Sequence, residues 1–166
     1  MLIQMGQRLY GLLPIIDKRA KVLILGSFPG ADSLKYRQYY AHSRNQFWKI
    51  ISVVLKKDIA SMAYDQKKKT LLQCGVGLWD VIRSCCRKGS LDGNITDCRF
   101  NDIPGLVKKY PNISAIFLNG RKAEKSFKIA FPTLSKKALY LSSSSPANAR
   151  MTLRQKAKLW RRIETC

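Results

Sequence analysis

The sequence predicts an α/β domain built on a short, mostly parallel central sheet of about four strands. Three observations carry that expectation. Residues 22–25 (Val-Leu-Ile-Leu) form a continuous apolar run, as in a strand covered on both faces. Three more short apolar runs follow along the chain. Helical segments lie between them, and strands alternating with helices favour parallel pairing.

The elements follow in order. The strand at 21–29 is stopped by Gly26 and Pro29. Residues 32–44 read as a polar and aromatic loop. Phe47, Ile50, Ile51, Val54 and Leu55 then recur at i, i+3, i+4, i+7 and i+8, an apolar helical stripe with Asn45 near its start. A lysine-rich polar helix at 65–73 leads into residues 74–82, a second strand or an extended run into a turn. Residues 87–102 carry turn formers and no clean period, so they read as loop. A short helix at 102–109 is capped near Asn101 and halted before Pro111. Residues 113–118 form a third strand, ending at Asn119-Gly120, and a helix at 121–131 is stopped by Pro132. Residues 138–141 are the fourth strand. The last helix runs from 152 to about 163. It turns Leu153, Ala157, Trp160 and Ile163 inward and carries Arg154, Lys156, Lys158, Arg161 and Arg162 on its other face.

Length and composition bound the function. The 166 residues suit one domain, 1–166, and a 46% hydrophobic composition can fill a core. No apolar run approaches the roughly 20 residues of a membrane span. The first residues lack the features of a secretory leader, so none is expected. Lys plus Arg number 31 and Asp plus Glu 10, which leaves a formal net charge of +21. Such a chain attracts polyanions, nucleic acid first.

Five cysteines (Cys74, Cys85, Cys86, Cys98 and Cys166) contain no C-x-x-C pair, so a zinc ribbon is not expected and the thiols read as reduced. A single histidine, His42, makes multi-histidine metal sites and Ser-His-Asp hydrolysis poor readings. It reads as a structural or ligand-contacting residue. No cofactor and no metal are expected.

In a parallel sheet, sites form at the carboxyl ends of the strands. The segments there are 26–30, 79–81, 119–121 and 142–150. Between the first strand and the first long helix stands Tyr40-Ala41-His42-Ser43-Arg44-Asn45-Gln46-Phe47-Trp48. Aromatic rings offer faces to bases, and Arg offers charge to phosphate. With it come Gly26-Ser27-Phe28-Pro29, Leu78-Trp79-Asp80-Val81 with Gly89-Ser90-Leu91-Asp92, Phe117-Leu118-Asn119-Gly120 and Ser144-Ser145-Pro146-Ala147-Asn148-Ala149-Arg150.

In these five segments the chain resembles the uracil-DNA glycosylase superfamily, and within it the hypoxanthine-DNA (deoxyinosine) glycosylase branch. The resemblance implies a three-layer α/β/α fold. It implies a monofunctional DNA glycosylase acting on a deaminated base, hypoxanthine or uracil, and leaving an abasic site. The usual catalytic Asp or Asn before Pro is Phe28 here, and the branch assigns that role to the residue matching Asn45. Its amide would hold water by its oxygen and touch the substrate by its nitrogen.

The resemblance places Tyr40 in a stack with the extruded base, and Ser27, Phe28, His42 and Asp80 beside it. Arg44, Ser143, Ser144, Ser145, Pro146, Ala147, Asn148 and Arg150 fall where relatives grip DNA. Relatives usually carry Pro at the position of Ser142 and often His or Asn at that of Ser143. The implied partner is DNA containing a deaminated base, not a membrane. A monomer in the cytoplasm, at the nucleoid, is expected. The rival readings are a non-catalytic nucleic-acid-binding protein on the same scaffold and a small-molecule hydrolase. The latter lacks a Gly-x-Ser-x-Gly elbow.

Overall fold

A computed structural model describes residues 7–88 and 91–165. The strands are β1 (Arg8–Tyr10), β2 (Val22–Gly26), β3 (Val76–Asp80), β4 (Ile82–Arg87), β5 (Ile95–Phe100), β6 (Ala115–Asn119) and β7 (Ala138–Leu141). The helices are α1 (Ala31–Tyr36), α2 (Phe47–Leu55), α3 (Tyr64–Gln73), α4 (Ile103–Lys109), α5 (Arg121–Ala130), α6 (Pro132–Ser135) and α7 (Leu153–Trp160). Four strands form the expected parallel sheet, in the order β3-β2-β6-β7.

Strand alternation makes this sheet the middle of three layers. Every residue of β2 is buried. Val22 and Ile24 join a cluster with Phe47, Ile50, Ile51 and Val54 of α2, Leu71 of α3 and Trp160 of α7. Leu23 and Leu25 join the opposite cluster, with Ile103 of α4 and Ala123 and Phe127 of α5. Burying one such aliphatic side chain contributes about 1.5–3 kcal/mol, so these two clusters hold the layers together.

Three details differ from the sequence reading. Residues 87–102 are not all loop: β5 pairs with β4, and β4 with β1, in a second, antiparallel sheet. Only Ile95 of β5 is buried, and register shifts interrupt the β4–β5 pairing, so no period of two survives in the sequence. Ile95 packs with Phe28, Ile82 and Cys85 in a third small cluster. Residues 31–36 form α1 inside the expected loop. The cap of α4 is Asp102, whose Oδ1 accepts from Gly105 N at 2.9 Å.

Lys156 is also not on the outer face of α7. It is 1% exposed, and burial pushes its pKa down. Cys85 is wholly buried and its thiol is pushed up to about 11, which keeps it protonated and inert. Cys74, Cys86 and Cys98 are free thiols as well, while Cys166, Gly89 and Ser90 lie outside the described residues. Among the described residues no helix is long and apolar enough to cross a membrane.

Candidate active site

The carboxyl ends of the parallel strands lie level with one another. Gly26 pairs with Asp80, and Asn119 with Leu141. Two loops close over this edge, residues 37–46 before α2 and 142–151 after β7. A hydrogen bond from Gln46 N to Ser144 O, at 3.0 Å, ties them together.

Gly26 is required by close approach. A Cβ there would stand 2.5 Å from Asp80 Oδ1 and 3.2 Å from Tyr40 Oη. Tyr40 itself is held at φ 55, in the left-handed region. Such backbone costs of order 1–3 kcal/mol in a non-glycine residue and concentrates at functional sites. Packing holds it there: its ring lies on that of Phe47, with centroids 3.9 Å apart and planes 14° from parallel. Tyr40 is half-buried and Phe47 wholly buried, so the stack has its covered side toward the core.

Asn119 closes the network. Its Nδ2 donates to Tyr40 Oη (3.2 Å) and Ser144 Oγ (3.0 Å), and its Oδ1 accepts from Ser144 N (3.0 Å). The strand end thereby fixes both the tyrosine and the second loop. Trp160 Nε1 donates to Ser142 O at 2.9 Å, which seats α7 beneath the same loop. Next to Asn119, Gly120 has φ 98, and a Cβ there would meet Ser143 Cβ at 3.1 Å.

The second loop turns on its own serines. Ser143 Oγ accepts from Ser145 N, and Ser145 Oγ from Ala147 N, each at 3.2 Å. Asn148 Nδ2 donates to Ser143 O at 3.1 Å. Ala147 and Arg150 are exposed, as is Arg44 on the facing loop, and Pro146 is half-buried between them.

His42 and Asn45 share one turn, closed by Asn45 N donating to His42 O at 2.9 Å. His42 Nδ1 accepts from Arg44 N at 3.2 Å, and Asn45 Oδ1 accepts from Phe47 N at 2.9 Å. Asn45 therefore does help to start α2, as its position in the sequence suggested.

The structure thus gathers Ser27, Tyr40, His42, Asn45, Asp80 and the loop from Ser143 to Asn148 at the strand ends. Asp80 and Ser27 are buried there. Beneath them Tyr39 is buried, and desolvation, with the nearby Asp80 charge, pushes its hydroxyl pKa far up. Tyr39 Oη donates to Leu13 O at 3.0 Å. Two further expected site residues, Phe28 and Ser144, are buried as well. Phe28 packs into the third cluster under the Arg87 guanidinium, 5.1 Å from its ring centre. Ser144 is 1% exposed and held by Asn119. The sequence put Asn119 at a strand end, in one of the segments where a site forms, but gave it no role; its signal was a polar residue ending a buried strand just before glycine.

Residues 13–164 match the family model described as the uracil DNA glycosylase superfamily. The chain belongs to the uracil DNA glycosylase superfamily. Among its superfamily relatives is a hypoxanthine DNA glycosylase of Methanosarcina acetivorans, 36% identical over 142 residues, 86% of this chain and 89% of that one. A hypoxanthine DNA glycosylase of Methanosarcina barkeri is 33% identical over 150 residues, 90% of this chain and 94% of the relative. The solution structure of a candidate uracil DNA glycosylase from Methanosarcina acetivorans superposes with a TM-score of 0.81 at 33% identity. It covers 95% of this chain and 99% of that one. The glycosylase fold and enzyme class expected from the sequence both stand, with DNA as the substrate polymer.

Proposed function

We propose that this superfamily member is a monofunctional DNA glycosylase that flips a deaminated base, hypoxanthine foremost, out of DNA and hydrolyses its N-glycosidic bond. The observation that carries the reading is Tyr40. An aromatic residue is held in left-handed backbone, backed by Phe47 and fixed by Asn119, at the strand ends beside His42 and Asn45. A flipped base stacked on the ring of Tyr40 would extend the Phe47–Tyr40 stack. Base–aromatic stacking is worth about 1–3 kcal/mol, which offsets the few kcal/mol of unstacking that flipping costs.

The reaction asks little else of the protein. The bond from C1′ to the base nitrogen breaks with its electron pair leaving on the base. A water oxygen then bonds C1′, and the proton it sheds passes through solvent to the base. The products are free base and an abasic site. Asn45 is the catalytic residue in this account, with Ser27, His42 and Asp80 around the base. Phe28 supports the turn from beneath. Ser143 and Ser145 use their oxygens as acceptors within the loop, so their hydroxyl hydrogens remain for phosphate. Arg44, Ala147, Asn148 and Arg150 flank the same path, and Ser144 and Pro146 shape it.

The chain acts as one domain and a monomer, in the cytoplasm at the nucleoid. The test is a panel of duplexes carrying a single inosine, uracil, xanthine or ethenoadenine, treated with protein and then alkali. Alkali-dependent cleavage at inosine supports the reading. A protein that binds every duplex and cleaves none refutes it.

A further inference from the structure

The parallel strands enter the sheet level with one another. Val22 pairs with Val76 and with Ala115, and Ile116 with Ala138. β2 spans five residues at about 3.3 Å each, so roughly 15 Å of sheet separates this end from the candidate active site. Two hydrogen bonds join the loops that lead into β2 and β6. Asn112 Nδ2 donates to Lys18 O, and Ser114 N to Lys21 O, each at 2.8 Å. Here lies a hollow of about 720 Å³, lined by Lys18, Arg19, Lys21, Asn112 and Ser114. Its three cations are exposed. Lys108 and Lys109 at the end of α4, and Lys136 and Lys137 just before β7, bring further exposed charge to the same end of the sheet. Residues 17–21, 108–114 and 136–137 contain a single carboxylate, Asp17, and Arg19 holds it through its backbone N (2.8 Å) and Nε (3.0 Å). Among the described residues Lys18 and Lys21 have no salt bridge.

We propose that this end of the sheet is a second nucleic-acid surface, which holds the phosphate backbone of one DNA segment while the candidate active site engages another. The proposal rests on DNA binding at the candidate active site and goes beyond excision. Lys108 and Lys109 answer the carbonyl end of α4. Lys18, Arg19 and Lys21 lie in no helix, so no helix end accounts for them. Like charges gathered in this way cost the folded chain stability, and a polyanion laid across them relieves that cost. The lining of the hollow carries no aromatic ring, so its contacts are to phosphate and independent of sequence. Duplex DNA is stiff over about 150 base pairs. A short duplex therefore cannot pass from one end of the sheet round to the other, and two segments are required. A protein held on both can move from one to the other without release into solvent.

The stoichiometry of the complex tests the proposal. Sedimentation at low salt is measured with a short undamaged duplex in excess, and hypoxanthine excision and melting are followed on the same preparations. The parent is expected to carry two duplexes on one protein. Lys18→Gln/Lys21→Gln is expected to carry one, with excision and melting as in the parent. Any second binding step that persists in this variant is expected to have a log–log salt slope shallower by about two contacts. The charge-matched control Lys125→Gln/Lys158→Gln, in exposed lysines of α5 and α7, is expected to keep both duplexes. A parent that stops at one duplex overturns the proposal. So does a second duplex bound at parental affinity by the Lys18→Gln/Lys21→Gln variant, or one lost equally in the control. Particles of two proteins and two duplexes assign the second segment to self-association and overturn it too. A second site that takes duplex RNA or polyglutamate in preference to duplex DNA assigns the hollow to another partner and overturns it as well. A parent that binds two duplexes but excises nothing supports this proposal and refutes the glycosylase reading.

Discussion

The hydroxyl of Tyr40 accepts a hydrogen bond from the side-chain nitrogen of Asn119 at 3.2 Å. In the proposed function the ring of Tyr40 faces the flipped base, while its hydroxyl is held by Asn119. Tyr40→Ala removes the stacking face and is expected to abolish excision. Tyr40→Phe keeps the face but leaves a buried Asn119 N–H with one partner fewer. It should lower stability by about 1 kcal/mol and cleave at near the parental rate once folded. Thermal melts and single-turnover assays on the same preparations check both. Equal loss of excision in the two variants would move Tyr40 from stacking to hydrogen bonding.

Two glycines hold the network at its closest points. Gly26→Ala would place a methyl 2.5 Å from Asp80 Oδ1, so the carboxylate or the strand must shift. Gly120→Ala adds φ strain to a contact of 3.1 Å with Ser143. Each is expected to destabilise by about 1–3 kcal/mol. The two should differ in function: Gly26→Ala lowers the excision rate through Tyr40 and Asp80, and Gly120→Ala weakens DNA affinity through the loop from Ser143. Denaturant unfolding, excision rate and duplex affinity, measured in parallel, separate the two effects.

The net charge of +21 sets the salt response. Affinity for duplex DNA is expected to fall on a log–log plot with a slope of about −0.9 per phosphate neutralised. Arg44→Ala and Arg150→Ala should each make the slope shallower by about one contact. Titrations of a labelled duplex at several salt concentrations measure this, and a flat response would remove phosphate contacts from the account.

Excision is expected to proceed unchanged in a chelator. The sequence has one histidine, and its five cysteines include no C-x-x-C pair. Activity assays with and without chelator, and metal analysis of the purified protein, check this. Stoichiometric metal lost together with activity would contradict it.

Much of this was legible in the sequence, and what was hidden has physical causes. The parallel sheet showed because its strands are buried on both faces and read as unbroken apolar runs, β2 above all. The second sheet did not, because β5 buries only Ile95 and register shifts break its alternation. Helix α1 spans six residues, too few to display a period. Lys156 has the composition of a surface residue, and only packing showed it buried. The sequence set Tyr40, His42 and Asn45 in one dense motif, and the fold brings that motif to the loop before α2. Asn119 stood in a strand-end segment without a role, because its importance lies in partners at positions 40 and 144, far apart in the chain.

The central claim is that Asn45 does chemistry beyond holding the start of α2. Asn45 lies just before Gln46, the N-cap of α2, and its Oδ1 accepts from Phe47 N; one such hydrogen bond is worth about 1 kcal/mol, and Asp can accept it as Asn does. The decisive measurement is therefore single-turnover excision of hypoxanthine by Asn45→Asp, paired with its melting temperature. The account predicts a variant that melts like the parent and excises at a rate lower by about 10² or more. A stable Asp variant that excises at the parental rate would contradict it.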